Sequence, residues 1–298
     1  MKKEIYNPYD IVIMSNILIE KINNLKVKPI KRDGQISKPV KGKSILGDSP
    51  FINIMQVAST SSGKTTATFK ILKESVVPEK TTIVAFVPSI YNDENWIAIR
   101  EYFEDLNTNF VAHTSTKDEK GQDLLKEYVK LFTEEAEERE QKRKEKRDEL
   151  FIPKKQKRLM HFQDCEKKRK EKEPKYIFAE YIFIFDDISD ELRNRSYEAL
   201  VKKARHYHIM TITSSQDAKD ITPASIKQMR LWLLFKNLDE ERLYHIWSKL
   251  GVSMPFQTWL RCYKHATQDT NRSRFNFFYF QPRDLEMRMN FSHRFILE

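Results

Sequence analysis

The apolar positions of this chain switch between a strand-like and a helix-like spacing, and each switch marks an element. Phe51 to Val57 is a strand-like run, while Thr65 to Ser75 carries Phe69, Ile71 and Leu72 on a helical pattern. Thr81 to Val87 is β-branched and closed by Pro88. Strand, loop, helix and strand in that order begin a parallel sheet. Asn92 to Leu106 spaces Trp96, Ile97, Ile99, Tyr102 and Phe103 as a helix does, and these aromatics read as core rather than as ligand-binding. Phe110-Val111-Ala112 is a short strand beyond it.

The pattern resumes with Tyr176 to Phe185, the most apolar strand of the chain. A helix at Leu192 to Ala204, a strand at His208 to Thr213, a short helix at Ile226 to Met229 and a strand at Leu231 to Phe235 follow. Such alternation predicts an α/β fold whose parallel sheet is covered on both faces. Glu240 to Leu250 reads as a helix, Phe256 to Tyr263 as a further short element, and Phe275 to Phe280 as an aromatic strand.

Two segments break the alternation. Ile11 to Ile19 reads as a short helix, followed by an extended arm over Lys26 to Gly47. Glu134 to Lys172 is nearly all Glu, Lys, Arg and Gln, and two charged helices joined near Pro153 fit it best. Because both signs are interleaved there, a solvated hairpin is expected in preference to a dedicated DNA clamp. The expected organisation is an arm over 1–48, a core over 49–133, a charged insertion over 134–175 and the rest of the core over 176–298.

Composition narrows the classes. Of 298 residues, 40% are hydrophobic and 32% charged, and concentration of the charge in one block leaves two apolar-rich regions for a core. Lys and Arg number 53 against 43 Asp and Glu, and the net charge of +10 suits a phosphate-bearing partner once a site supports it. Cys165 and Cys262 have no Cys or His at ligand spacing, which argues against a zinc site or disulfide framework and for two reduced thiols. No run of about 18 apolar residues occurs, so no membrane span is expected, and the protein is read as soluble and intracellular.

Only 6 glycines are present, and one of them falls in the most informative segment. Ala58-Ser59-Thr60-Ser61-Ser62-Gly63-Lys64-Thr65 matches G-x-x-x-x-G-K-[ST] everywhere except the first position, between an expected strand and an expected helix. In such a loop the backbone N–H groups from Ser59 through Ser62, Gly63, Lys64, Thr65 and Thr66 surround phosphates. Lys64 reaches the β and γ oxygens of ATP, and the Thr65 hydroxyl ligates Mg2+.

Tyr181 to Asp187 is an apolar strand ending in two carboxylates, where ligands bind in open α/β sheets. Asp186 is the expected metal ligand and Asp187 the group that polarises the attacking water. The strand from His208 ends in Ser215 and Gln216. Gln216 is a candidate to touch the γ-phosphate or orient water, against the plainer reading of a polar cap at a strand end.

In order and spacing, the loop at 58–65, Asp186-Asp187, Ala204-Arg205-His206 and Gln216 resemble the genome-packaging ATPases of poxviruses and giant viruses, within the FtsK/HerA superfamily. The resemblance covers about residues 50–240. Ala58 and Ala204 depart from it, each standing where the family has glycine. It implies a RecA-like P-loop core with a mostly parallel central sheet, carrying here an inserted charged helical hairpin. It implies a homo-oligomeric ring that threads double-stranded DNA into a capsid by ATP hydrolysis, working at a host-cell assembly site or within the virion.

The resemblance also implies an arginine acting in a neighbouring subunit's site. Arg205 is the candidate, with Arg195 and Arg230 behind it, against the plainer reading of Arg205 as a cation at a helix C-terminus. Rival readings are a helicase, a DNA-transfer motor, and a non-catalytic scaffold with a degenerate ATP site.

Overall fold

The computed structural model describes the backbone of residues 12–14, 17–19, 38–151, 175–268 and 275–296, and side chains within 38–145, 175–268 and 275–296. The chain divides into two units, Met1–Ser37 and Lys38–Glu298. In the first, β1 (Val12–Met14) and β2 (Ile17–Ile19) pair antiparallel, with Val12 opposite Ile19. This corrects the short helix expected there. Both three-residue runs are rich in Ile and Val, whose branched side chains favour a pleated strand over a helix.

The second unit is built on a nine-stranded sheet of order β11-β10-β9-β8-β3-β7-β6-β4-β5. Its strands are β3 (Asn53–Val57), β4 (Thr82–Phe86), β5 (Asn109–His113), β6 (Tyr181–Asp186), β7 (Ile209–Ser215), β8 (Met229–Phe235), β9 (Phe277–Gln281), β10 (Glu286–Met289) and β11 (His293–Arg294). The six strands from β8 to β5 run parallel, and β9 to β11 form an antiparallel margin. The α/β class read from the sequence is the one observed.

Both faces of the sheet are covered, which is why its strands are continuous apolar runs. Met55, Phe183, Phe185 and Trp232 face one core, while Ile54, Ile182, Ile184 and Leu233 face the other. Helices α2 (Lys64–Ser75) and α3 (Glu94–Asp105) cover the second of these faces. Beneath them, α1 (Lys43–Leu46) buries Ile45 and Leu46. That turn corrects the extended arm over this part; residues 26–37 of the arm lie outside the described residues.

The other face is covered by α5 (Arg195–Lys203), α7 (Glu240–Leu250), α8 (Phe256–Ala266) and part of α4 (Leu124–Phe151). A short α6 (Pro223–Ile226) starts on Thr222, whose hydroxyl accepts from Ser225 N, with Pro223 in its first turn. The helix expected at Ile226 to Met229 therefore lies slightly earlier, and Met229 already belongs to β8. Strand β6 starts at Tyr181 rather than Tyr176, because Ile177 bridges to Val40 instead.

The charged segment holds the main difference from expectation. Its first helix starts at Leu124, not in the charged block, and runs for 28 residues. Leu125 and Phe132 are fully buried, with Tyr128, Val129 and Ala136 packed beside them, so an apolar stripe docks the first half of α4 on the sheet. The docking ends on polar contacts. Thr133 Oγ1 lies 2.8 Å from Tyr207 Oη, and Arg139 pairs with Glu135 at 3.0 Å and Glu180 at 3.4 Å. The expected second helix, and Cys165 with it, lie outside the described residues.

Candidate functional site

The site grows from the C-terminal end of β3. Ala58 continues the ladder past the strand, its N–H donating to the Ser215 carbonyl at 3.0 Å, and it is fully buried. The chain then turns on itself, with Ser62 Oγ donating to the Ser59 carbonyl at 2.5 Å. Ser61 (φ 60°) and Gly63 (φ 98°) are both in the left-handed region. Gly63 has a second reason to be glycine, since a Cβ there would stand 2.8 Å from a ring carbon of Phe275.

Helix α2 starts at Lys64, and its first intrahelical bond runs from Ala67 N to the Gly63 carbonyl at 3.0 Å. The N–H groups of Lys64, Thr65 and Thr66 precede that bond and, with the helix dipole, form a ready anion cradle. Gln56 braces the loop from beneath, its fully buried amide donating to Thr68 Oγ1 at 2.8 Å. A cavity of about 350 Å3 between α2 and α3 adjoins this cradle and is lined by Thr65, Thr66, Phe69, Asn95 and Tyr102, among others.

Two strands away, β6 delivers Asp186 and Asp187 to the same edge. Lys64 Nζ donates to Asp187 Oδ1 at 3.0 Å; the lysine side chain is 7% exposed and the aspartate 58%. Asp187 also sits in the left-handed region at φ 54°, which turns its carboxylate out of the strand. Asp186 is buried, and Trp96 Nε1 donates to its Oδ2 at 3.1 Å. Its Oδ1 has no hydrogen-bond partner, and neither does Ser214 Oγ on the residue opposite it in register. Burial, then the charge of Asp187, push the Asp186 carboxyl up to about 6, with Lys64, Trp96 and the facing Ser214 hydroxyl opposing.

The structure thus brings Ser59 to Thr66, Asp186 and Asp187 together. Gln216 lies exposed just past the end of β7, at the same edge. Ser215, in contrast, is committed to the turn that follows. Its hydroxyl contacts the Asp220 carboxylate, the Asp217 carbonyl and Ser189 Oγ. Arg205 is exposed at the opposite end of β7, between α5 and that strand, so it does not join this chain's own cluster. Arg230 also starts its strand at that far edge, whereas Arg195 opens α5.

Three polar contributors were not legible as such. Trp96 reads as core from its helical spacing, and it is buried, yet its indole N–H also holds Asp186. Ser214 sits one residue before the pair singled out at the end of β7; its parity with Asp186 is a consequence of register. Gln56 is an amide inside an apolar strand, and that oddity was the available signal.

No family model and no curated protein matches the chain. Solved structures do. The genome packaging NTPase B204 from Sulfolobus turreted icosahedral virus 2, in complex with AMP, is similar at 13% identity and a TM-score of 0.45, over 83% of this chain and 98% of that one. The same protein in complex with AMPPCP is similar at 14% identity, with a TM-score of 0.45, over 84% of this chain and 100% of that one. EssC (ATPases 2 and 3) from Geobacillus thermodenitrificans is similar at 16% identity and a TM-score of 0.45, over 78% of this chain and 38% of that chain. Among the described residues, no helix is long and apolar enough to cross a membrane.

Proposed function

We propose that the chain hydrolyses ATP at this edge and couples the hydrolysis to movement of double-stranded DNA, as one subunit of a ring that packages a viral genome into a capsid. The observation that carries the ATPase reading is a buried lysine at a helix N-terminus, paired at 3.0 Å with a carboxylate from the end of β6. The residues fit a magnesium ion as well: Asp186 Oδ1 is buried without a partner, at the sheet edge where the cradle lies. Thr65 and Asp186 would hold Mg2+, which when bound neutralises phosphate charge. The nucleoside would lie in the cavity between α2 and α3.

In this reading Lys64 exchanges Asp187 for phosphate oxygens when ATP binds, and the freed Asp187 accepts a hydrogen bond from the attacking water. Gln216 stands exposed to orient that water or to touch the γ-phosphate. Arg205 points away from its own P-loop edge, which leaves it to complete the site of a neighbouring copy. The DNA reading draws on the net charge of +10 and on the motif order, and it places the work where capsids are filled.

The test is ATP turnover measured with and without long duplex DNA, beside a strand-separation assay. Stimulation by duplex without unwinding is expected. Unwinding would indicate a helicase instead, and no turnover under any condition would indicate a non-catalytic scaffold.

A further inference from the structure

The edge of the sheet opposite the P-loop carries a second concentration of charge, net positive among the residues that line it. A cavity of about 480 Å3 opens there, at the N-terminal ends of β3, β7 and β8, and its cations are Lys202, Arg205, Arg230 and Arg283, with His206 beside them. Its one carboxylate, Asp48, is already paired with Lys43 at 3.3 Å. His206 also lines a second cavity of about 350 Å3 with Arg139, Glu140, Arg143 and Lys144 of α4, where Lys144 pairs with Glu140 at 3.5 Å and Arg139 with Glu135 and Glu180. The two cavities therefore form one basic band running from the β9–β10 turn to α4.

Lys202 is paired with Glu198, whereas three of the arginines lack partners among the described residues. Arg205, Arg283 and Arg143 make no ion pair among the described residues. Arg230 reaches Asp284 only at 3.9 Å, and its buried Nε has no hydrogen-bond partner. Unpaired guanidinium groups converging on open cavities repel one another, and an anion entering the cavities removes that cost. Their planar forks match phosphate oxygens better than an ammonium does. A single small anion would need one cavity, whereas two cavities that share His206 along one edge suit a polymer of phosphates.

We infer that this band is a second phosphate-binding site, separate from the P-loop, that takes the phosphodiester backbone of duplex nucleic acid. The inference rests on the nucleic-acid reading above and gives that partner an address in the chain. Arg205 stands at the same mouth, but its task concerns a neighbouring copy, and the band holds without it. Arg143 and Arg283 are exposed and far from the cradle, so reversing them does not disturb ATP binding.

The experiment measures anisotropy of a fluorescein-labelled duplex on the full chain over a salt series, without nucleotide. Relative to wild type, R143E/R283E is expected to bind duplex roughly tenfold more weakly or worse. Its slope of log affinity against log salt should also be smaller by about two. R143K/R283K keeps the charge and should keep the slope; loss of slope there would mark the effect as structural and overturn the inference. Wild-type affinity and slope in R143E/R283E would overturn it as well. Inorganic tripolyphosphate and Mg-ATP serve as competitors in a Lys64→Ala background. Displacement of duplex by either, at concentrations near those of competing duplex, would show a small-phosphate site and reject the backbone. A wild type that turns over ATP with no response to duplex would sink the packaging reading. Duplex binding indifferent to R143E/R283E sinks only this one.

Discussion

The two ends of the same parallel strands gather opposite kinds of charge. At the P-loop edge one buried lysine meets two carboxylates, one of them buried and held by an indole N–H. At the far edge, arginines dominate and several have no carboxylate partner. The first arrangement is poised, with Lys64 paired to Asp187 and the buried Asp186 left with an unpartnered oxygen that a metal ion would satisfy. The second is unbalanced and demands an external anion. Chemistry needs the first kind of site, because charge must be redistributed at fixed positions, and holding a polyanion needs only the second.

The sharpest break of that comparison would come from Arg205, the residue of the far edge assigned to a neighbour's chemistry. Arg205→Ala is expected to lower turnover by about 10³-fold or more, the scale of an arginine acting in trans. Mixing it with Lys64→Ala subunits should restore part of the ATPase where rings form. No recovery in mixed rings shown to assemble, or near-normal turnover by Arg205→Ala alone, would return Arg205 to the far edge as a plain helix-terminal cation.

Lys64→Ala should lower turnover on the order of 10²–10³-fold, the cost of losing one charged donor at a reacting group. The fold should survive, because the ammonium contacts a carboxylate rather than the apolar core. Wild-type hydrolysis by this variant, with its unfolding curve unchanged, would remove the P-loop assignment.

Asp186 and Asp187 sharpen the contrast within one edge. The Asp186 carboxyl is raised from 3.8 to about 6, so the fold favours its protonated form. Its contribution to stability is full below about pH 4 and is lost as pH rises past about 6, a change of roughly 3 kcal/mol. Asp186→Asn should therefore stabilise the nucleotide-free protein by up to about 3 kcal/mol near pH 7.5, while weakening magnesium binding. Denaturant melts of both proteins across pH 4–8 would show the two curves converging at the acid end. A gain of equal size at both ends would refute the buried-charge account. Asp187→Asn, half exposed, should bind Mg-ATP and hydrolyse it poorly, and an equal loss of binding in the two variants would refute the division of roles.

The smallest effect is expected beyond the band. Replacing residues 146–172 by a short Gly/Ser bridge should leave ATP turnover and duplex affinity within about twofold, since mixed-charge surface contributes little to either. Starting the deletion at 136 removes Arg139 with its bonds to Glu135 and Glu180, and should lower stability by about 1–3 kcal/mol. Equal stability of the two deletions would show that α4 docks only by its apolar stripe, while the longer one, which also removes Arg143 and Lys144, should weaken duplex binding.

Sequence alone picked out the loop and the two carboxylates that the fold brings to one sheet edge. A lysine and threonine after a glycine, between a strand and a helix, point to a phosphate cradle, because the loop's own backbone makes it. Asp186 and Asp187 were legible because they end the most apolar strand. The parallel, doubly covered sheet followed from spacing, since buried strands and amphipathic helices leave different periods. Tertiary structure decided what depends on register and on sheet order. Ser214 faces Asp186 only because β6 and β7 pair in one register, and Trp96 reaches that carboxylate from a helix ninety residues earlier in the chain. The start of α4 at Leu124 was set by an apolar stripe docking on the sheet. The far-edge band joins α4, the turn before β7, the start of β8 and the β9–β10 turn. No window of sequence contains it, because its unity is the shared end of strands that lie far apart in the chain and side by side in the sheet.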